Sequence, residues 1–308
     1  MAATEGASLR PEAVRRPRPL GGLARWVGEG LAAWLPALPL LVLALVLLIA
    51  PTVELVVSSI HSSAAGWTLA FWRDTLQSAG GQRAVRTSIQ LALICATLSL
   101  LVGGPLAWMI SRMVTLRRSI WLALLNVAAN FGGVGLAFGY IAALGSYGMV
   151  TLALHDVGIP IAPPAMGSVA SLVLAYEYTN VPLFILLTLP AMAILRTEWM
   201  EAAETCAASR AQFWRHIGLP ILAPFLAAGW LLIFTWSIGI YGLAYAMGAN
   251  ASTVGKLRLI TLQIGLTLNT GAGREERAFV LAVVLLMFAT VSLVAYRLTL
   301  RWALRWFV

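Results

Sequence analysis

Charged residues are scarce in this sequence. Only 11% of its 308 residues are Asp, Glu, Lys or Arg, whereas soluble domains contain about 25%. Mean hydropathy is correspondingly high, at +0.86. These values exclude a soluble globular domain and indicate an integral membrane protein.

Cysteine and histidine are rarer still. The two cysteines, Cys95 and Cys206, are predicted to lie at different membrane depths, so they cannot pair, and they match no metal-ligand spacing. The three histidines fall in separate loops, at His61, His155 and His216. Because there is no His-Glu-x-x-His run and no Gly-x-Ser-x-Gly turn, nothing indicates a membrane hydrolase.

A phosphate-binding loop is also missing. The Gly255-Lys256 pair has Asn250 where such a loop needs glycine, and Leu257 where it needs Ser or Thr. We therefore expect this chain to hydrolyse no ATP and to bind no cofactor or metal itself.

Six long apolar runs account for most of the sequence. Each is near or above the roughly 20 residues that cross about 30 Å of hydrocarbon. They predict an all-α polytopic membrane protein with six transmembrane helices, in one domain over residues 31–308. Residues 1–30, rich in Arg, Pro and Gly, predict a disordered basic tail. The runs lie at about residues 34–57, 87–111, 119–145, 167–190, 221–247 and 278–300.

Basic residues are distributed unevenly between the two sides of these helices. Of the 21 Lys and Arg residues, fourteen fall in the tail, the second and fourth loops and the C-terminus. Since Lys and Arg are retained in the cytoplasm, both termini are expected to be cytoplasmic. The protein itself is expected in the cell's inner membrane. The net charge of +9 is explained by basic residues that set this orientation and contact membrane lipid. No nucleic-acid partner is therefore expected.

The third and fourth runs contain residues that disturb helices. In the third, Gly132 and Gly133 precede a Gly135/Gly139 pair, whose spacing predicts close approach of another helix. The fourth contains Pro182, where a kink is expected.

Two of the outer loops contain short amphipathic stretches. The first loop, with Trp67, Phe71 and Trp72, predicts a helix lying at the lipid headgroups. Residues 248–277 predict a re-entrant or interfacial helix.

The longest polar stretch of the second half, residues 201–220, lies between the fourth and fifth runs. Carboxylates lead it and Arg215 and His216 follow, the order that a helix macrodipole favours. It predicts one helix or two short ones, which Pro220 should end. Because a helix resting on lipid would be enriched in Lys and Arg, the carboxylates favour docking on a partner protein.

This stretch resembles the EAA motif in the membrane (permease) subunits of type I binding-protein-dependent ABC importers. The resemblance extends over residues 34–305, and NFGGVGLAFGYIAALG and YTNVPLFILLTLPAM are similar to the branch that carries polyamines, ferric iron, thiamine and aminophosphonates. The family usually has glycine where this chain has Ala207. If that position needs a positive φ, alanine costs about 1 kcal/mol and the turn must differ. If it is only a close-contact site, alanine is harmless. The residues that the resemblance implies for ATPase coupling are Glu201, Ala202, Ala203, Ala207, Ala208, Ser209, Phe213, Ile217, Leu219 and Pro220.

The resemblance also implies an assembly. The chain would be a non-catalytic permease subunit that pairs with a second permease subunit, identical or homologous. Two ATP-binding subunits, holding ATP and Mg, would dock on the coupling helices, and an external solute-binding protein would deliver the solute. The alternatives are a secondary transporter and a non-transport membrane assembly protein. A secondary transporter should, however, show inverted repeats and paired charges inside the membrane.

Glu177 stands near the middle of the fourth run, between two tyrosines. Because an ionisable group at that depth is costly, it should face a cavity or a partner rather than lipid. One hypothesis places it on the translocation path, which favours a cationic, polyamine-like solute; the other has it hydrogen-bonded to a neighbouring helix. The further path candidates are Tyr176, Asn180, Asn130, Tyr241 and Tyr245, and core packing is the preferred alternative for the last three.

Overall fold

The computed structural model describes residues 35–62, 66–159, 163–249, 257–269 and 275–304. The predicted tail, Asn250 and the Gly255-Lys256 pair lie outside these ranges. The chain divides into two units, Met1–Glu54 and Leu55–Val308. In the first unit, a 3₁₀ turn at Leu35–Ala37 leads into helix α1, which continues into the second.

The described residues are almost entirely helical, as predicted. The exception is a two-stranded antiparallel hairpin, β1 (His61–Ser62) and β2 (Gly66–Trp67). The helices are α1 (Leu38–Ile60), α2 (Ala70–Gln77), α3 (Ala79–Ser111), α4 (Thr115–Asn130), α5 (Gly133–Leu144), α6 (Met149–Asp156), α7 (Val169–Met192), α8 (Thr197–Thr205), α9 (Arg210–Phe213), α10 (Leu219–Gly239), α11 (Gly242–Ala249), α12 (Ile260–Asn269) and α13 (Glu275–Leu304).

Six helical stretches within the described ranges are long and apolar enough to cross a membrane, which confirms the predicted number. Two of the predicted runs are nevertheless not continuous helices. The third is broken between α4 and α5, and the fifth between α10 and α11. By composition alone the third crossing would be Gly133–Asp156. The packing of α4 and α5 along α7 instead assigns the crossing to these two helices together.

Two buried clusters lie at opposite ends of α7. The near cluster comprises Ala107, Ile110, Leu125, Ile185, Leu189, Met192, Leu195 and Leu222. The far cluster comprises Leu91, Cys95, Leu136, Ala137, Tyr140, Leu172, Val173, Ala175, Tyr176, Leu243, Ala244, Ala246, Met247, Leu257, Leu259 and Leu262. Since α4 contributes to the near cluster and α5 to the far one, the pair runs alongside the whole of α7.

The helices α3, α7 and α10 pack closely at the centre of the second unit. Phe184 of α7 is fully buried there between two glycines. A Cβ on Gly103 would lie 2.8 Å from its ring, and one on Gly229 would lie 3.1 Å from it. Helix α7 runs through Pro182 without interruption, so the expected kink does not break the helix.

The amphipathic loop stretches form helices. In the first loop, α2 starts after Trp67 and places Trp72 against a cluster that includes Ala84, Ile260 and Leu281. In the other, α12 begins at Ile260, whose N–H donates to Ser88 Oγ at 2.9 Å. The glycine pair of the third run lies on an exposed face, where a Cβ would meet no atom of the described chain within 4 Å.

Candidate coupling segment and translocation path

The polar stretch between α7 and α10 folds as two short helices, one of the two predicted forms. Arg196 is extended (φ −74°, ψ 148°), and α8 starts after it with Glu198 in the first turn, where the helix dipole favours a carboxylate. Helix α9 follows after four residues. We refer to residues 197–218 as the coupling segment.

The turn between α8 and α9 depends on Ala207. Its φ is +57°, in the left-handed region that glycine normally occupies. The Ala207 N–H donates to Glu204 O and the Ala208 N–H donates to Ala203 O, both at 3.0 Å. These two bonds are a Schellman motif, which satisfies the last carbonyls of α8. The position therefore does take a positive φ, and alanine adopts the left-handed conformation that this turn requires.

Helix α9 starts with a capping box. The Ser209 hydroxyl accepts from the Gln212 N–H at 3.3 Å, while the Ser209 N–H donates to Gln212 Oε1 at 2.7 Å. Two N–H groups that a helix start leaves unpaired are satisfied in this way. The direction of the chain after the Ala207 turn is fixed by this local geometry.

Pro220 does not end the helix, contrary to expectation. Residues Trp214–Gly218 form a π turn that leads directly into α10, where Pro220 lies in the first turn. The Leu219 N–H donates to Trp214 O, five residues back. Because the wider turn tolerates the absence of a proline N–H, the helix passes Pro220.

The coupling segment is anchored on one face and exposed on the other. Trp199 and Trp214 pack on the near cluster, and Phe213 is only 3% exposed. Among the other predicted coupling residues, Ala203, Ala208 and Ile217 are partly buried, whereas Glu201, Ala202, Ala207, Ser209, Leu219 and Pro220 are exposed. The motif therefore presents a mostly polar, small-residue surface from a fixed base.

Glu177 faces helix α3. Its Oε2 accepts a hydrogen bond of 2.8 Å from the Ser99 hydroxyl, and it lies beside Cys95. Its Oε1 is buried and has no hydrogen-bond partner among the residues that the structure describes. The contact with Ser99 matches the hypothesis of a bond to a neighbouring helix.

The breaks in the third and fifth crossings lie next to each other. Gly133, with φ +68°, starts α5 after the break, and a Cβ on Gly242 at the start of α11 would lie 3.9 Å from Gly133 Cα. At the second break Ile240 O accepts from the Tyr176 hydroxyl at 3.4 Å and from the Thr261 hydroxyl at 3.2 Å. These two hydroxyls satisfy a carbonyl that the interrupted helix leaves free.

The predicted path residues divide between this region and the core. Tyr176 and Asn180 are fully buried, and Asn180 Nδ2 donates to Ser237 Oγ at 2.9 Å. Asn130 and Tyr241 are exposed at the two breaks. Because the two breaks are adjacent, both residues lie at the surface that surrounds the breaks.

Sequence reasoning missed one member of that surface, Tyr178, and named the other, Tyr245, as a path candidate for which core packing was the preferred alternative. Tyr178 is 50% exposed and packs edge-to-face against Phe131 at the first break, with ring centroids 6.3 Å apart. Tyr245 is 50% exposed and stacks on Tyr241. The sequence signal for the second break was the pair of glycines on either side of it, Gly239 and Gly242, since glycines in an apolar run weaken a helix.

Comparisons with known proteins agree with this architecture. No family model matches the chain. The molybdenum transport system permease protein ModB of Mycobacterium tuberculosis is 26% identical over 198 residues, which cover 63% of this chain and 71% of ModB. The spermidine/putrescine transport system permease protein PotB of Haemophilus influenzae is 27% identical over 165 residues, covering 53% of this chain and 58% of PotB.

A solved structure has the same fold. It is a chain of a bacterial alginate ABC transporter in complex with an alginate pentasaccharide-bound periplasmic protein. The two chains superpose with a TM-score of 0.67 over 90% of this chain and 95% of the other, at 17% sequence identity. With six membrane-spanning stretches and relatives that are transport permeases, the chain is a multi-pass membrane permease subunit of the type I ABC importer family.

Proposed function

We propose that this permease couples ATP hydrolysis on separate subunits to solute import through the coupling segment. The observation that carries the proposal is the exposure of Glu201 on a helix whose other side is anchored by Trp199 in the near cluster. A segment held in this way can receive a push from a docked protein and transfer it to the membrane helices. Both chain termini then lie in the cytoplasm, in agreement with the excess of basic residues on that side.

The assembly contains two ATP-binding subunits, a second permease subunit and an external solute-binding protein. ATP and Mg bind to the ATP-binding subunits. The alginate transporter, which was solved with a periplasmic protein, supports the solute-binding partner. Two permease subunits would enclose the path between them.

The path runs past the two helix breaks. Phe131, Gly132, Gly133 and Val134 are all exposed around the first break. Irregular backbone at membrane depth is tolerated only where it is covered by protein or lines a water-filled cavity. This segment therefore faces the second permease subunit and the path between the two, together with Asn130, Tyr178, Tyr241 and Tyr245.

The solute is small, and its charge is not determined by Glu177. The preference for a cationic, polyamine-like solute depended on that carboxyl lining the path, whereas its hydrogen bond to Ser99 supports a role in holding α3 and α7 together. PotB carries spermidine and putrescine by name, while ModB carries molybdenum. Spermidine is the cation with which to test the preference.

The coupling role is tested by reversing the charge of Glu201. The tagged chain is purified from its own host's membranes, the accompanying proteins are identified by mass spectrometry, and Mg-dependent ATP hydrolysis is measured. Glu201→Lys should weaken docking by about 2 kcal/mol, or roughly 30-fold, because it places a like or unpaired charge in the interface.

The matched control is Glu275→Lys. Glu275 is an exposed carboxylate in the first turn of α13, close to the predicted outer side, so this variant should retain the ATPase. A complex that survives Glu201→Lys intact, or native chain that brings no ATPase with it, would contradict the assignment.

A further inference from the structure

Arg112, at the end of α3, contacts the N-terminal end of the coupling segment. Its Nη2 donates to Leu195 O at 2.8 Å and its Nη1 donates to the Thr197 hydroxyl at 3.3 Å. Leu195 lies in the link after α7, and Thr197 is the first residue of α8. One guanidinium therefore ties α3 to the point at which the chain enters the coupling segment.

Trp108, one helical turn earlier on α3, reaches the other end of the segment. Its ring meets the Trp214 ring edge-to-face, with centroids 4.8 Å apart and planes at 79°. Trp214 is the residue that follows α9, and both tryptophans pack on the near cluster. The exit of the coupling segment is thus held by the same helix as its entrance.

The two contacts are connected to each other. Arg112 Cζ lies 4.0 Å from the centroid of the Trp108 ring, in cation–π geometry. Trp108 and Arg112 are four residues apart and lie on one face of the helix. A lysine could keep the charge, but it lacks the planar fork that donates to two acceptors while stacking on a ring.

A glycine fixes the position of Trp214. A Cβ on Gly218 would lie 2.6 Å from Trp214 Cε3, so the ring rests directly on the backbone of the π turn. The ring that Trp108 contacts is therefore held against the start of α10.

We propose that Arg112, Trp108 and Trp214 form a clamp that makes α3 move together with the coupling segment, and that Arg112 is its positioning residue. The proposal rests on the coupling role assigned above. The chain itself joins the coupling segment directly to α7 and α10. The clamp adds α3, which is not next to the segment in the sequence. Helix α3 then transfers the displacement along its full length to the far cluster, to which it contributes Leu91 and Cys95.

The position of α3 relative to the coupling segment can be measured with spin labels. Cys206 is exposed and Cys95 is fully buried, and the sequence contains no other cysteine. Met109 is 57% exposed beside Trp108, so Met109→Cys supplies a second labelling position on α3. The labelled importer, with its ATP-binding subunits retained, is placed in lipid nanodiscs, and the distance between the labels is measured by double electron–electron resonance with and without ATP.

Four forms of the protein separate a clamp from a surface charge. With native Arg112 the distance should stay constant when ATP binds, and it should do so in Arg117→Ala, which removes an exposed arginine of α4 on the same side. In both Arg112→Ala and Arg112→Lys the distance should shift or broaden with ATP. Lysine that behaves like arginine, alanine that changes nothing, or a native distance that itself shifts with ATP would each overturn the clamp.

Failure of the coupling role gives a different result. If no ATP-binding subunit accompanies the native chain, the coupling role is refuted, and the clamp with it. If the subunits are present but the native distance changes with ATP, the coupling role stands and only the clamp is refuted.

Discussion

Replacing Ala207 with glycine should strengthen the turn at the centre of the coupling segment. Alanine at φ +57° is in the left-handed region, which costs an L-residue roughly 1–2 kcal/mol. Glycine removes that cost but gives the opened chain about 0.4–1 kcal/mol of additional conformational freedom. The net gain for Ala207→Gly is about 0.5–1 kcal/mol, so the opened turn should be roughly two- to fivefold less populated.

Amide hydrogen exchange detects that change directly. The N–H groups of Ala207 and Ala208 are protected by their bonds to Glu204 O and Ala203 O, and they exchange only when the turn opens. Peptides covering residues 200–210 of the protein in nanodiscs should therefore exchange more slowly in Ala207→Gly by that factor. The Phe213 N–H, bonded to Ser209 O in α9, provides an internal reference.

A second glycine in the same segment should have the opposite effect. Ala202 is an exposed residue within α8, where glycine costs about 0.8–1.0 kcal/mol relative to alanine. Ala202→Gly should thus accelerate exchange about four- to fivefold in the same peptides. If both substitutions changed exchange in the same direction, the argument from the left-handed conformation would be refuted.

Two further substitutions test the packing of the membrane helices. Gly218→Ala should lower the free energy of unfolding by about 1–3 kcal/mol, because its Cβ would displace the Trp214 ring. Thermal unfolding in detergent measures this. The control is Gly135→Ala, whose Cβ would meet no described atom within 4 Å, so the melting temperature should stay nearly unchanged. Glu177→Gln should keep an acceptor for Ser99 and so preserve assembly and solute uptake; loss of spermidine uptake with assembly intact would instead place the carboxyl on the path.

Much of the coupling segment could be predicted because its signals are local. The charge order from Glu198 to His216 and the small residues around Ala207 are properties of neighbouring positions, and they determine helices of a few turns. The π turn could not be predicted in the same way. It has the Trp214 ring lying on Gly218, and that ring also packs against Trp108 of α3, a contact that is distant in sequence.

The break in the fifth run was not predicted, because hydropathy does not distinguish one long helix from two short ones in line. Gly132 and Gly133 predict a disturbed helix in the third run, but the position of the break also depends on α5 packing against α11, and that contact is distant in sequence. Likewise, the side chain of Glu177 could not be assigned to α3 or to the path before the rotation of α7 was known. Burial of a carboxyl is visible in a sequence, whereas the identity of its neighbour is not.

The arrangement of breaks and clusters indicates how a displacement of the coupling segment reaches the path. Helices α3 and α7 are continuous and contribute residues to both the near and the far cluster, although each contains a proline. The third and fifth crossings also contribute to both clusters, but each does so through two separate helices. Close-packed interiors transmit strain rather than absorb it. If the proposed coupling role holds, we therefore expect the continuous pair to move as a rod and the interrupted crossings to bend where the helical hydrogen bonding is already broken. Both bends lie beside Asn130 and Tyr241, so a movement that begins at α8 changes geometry first at the surface proposed to contact the solute.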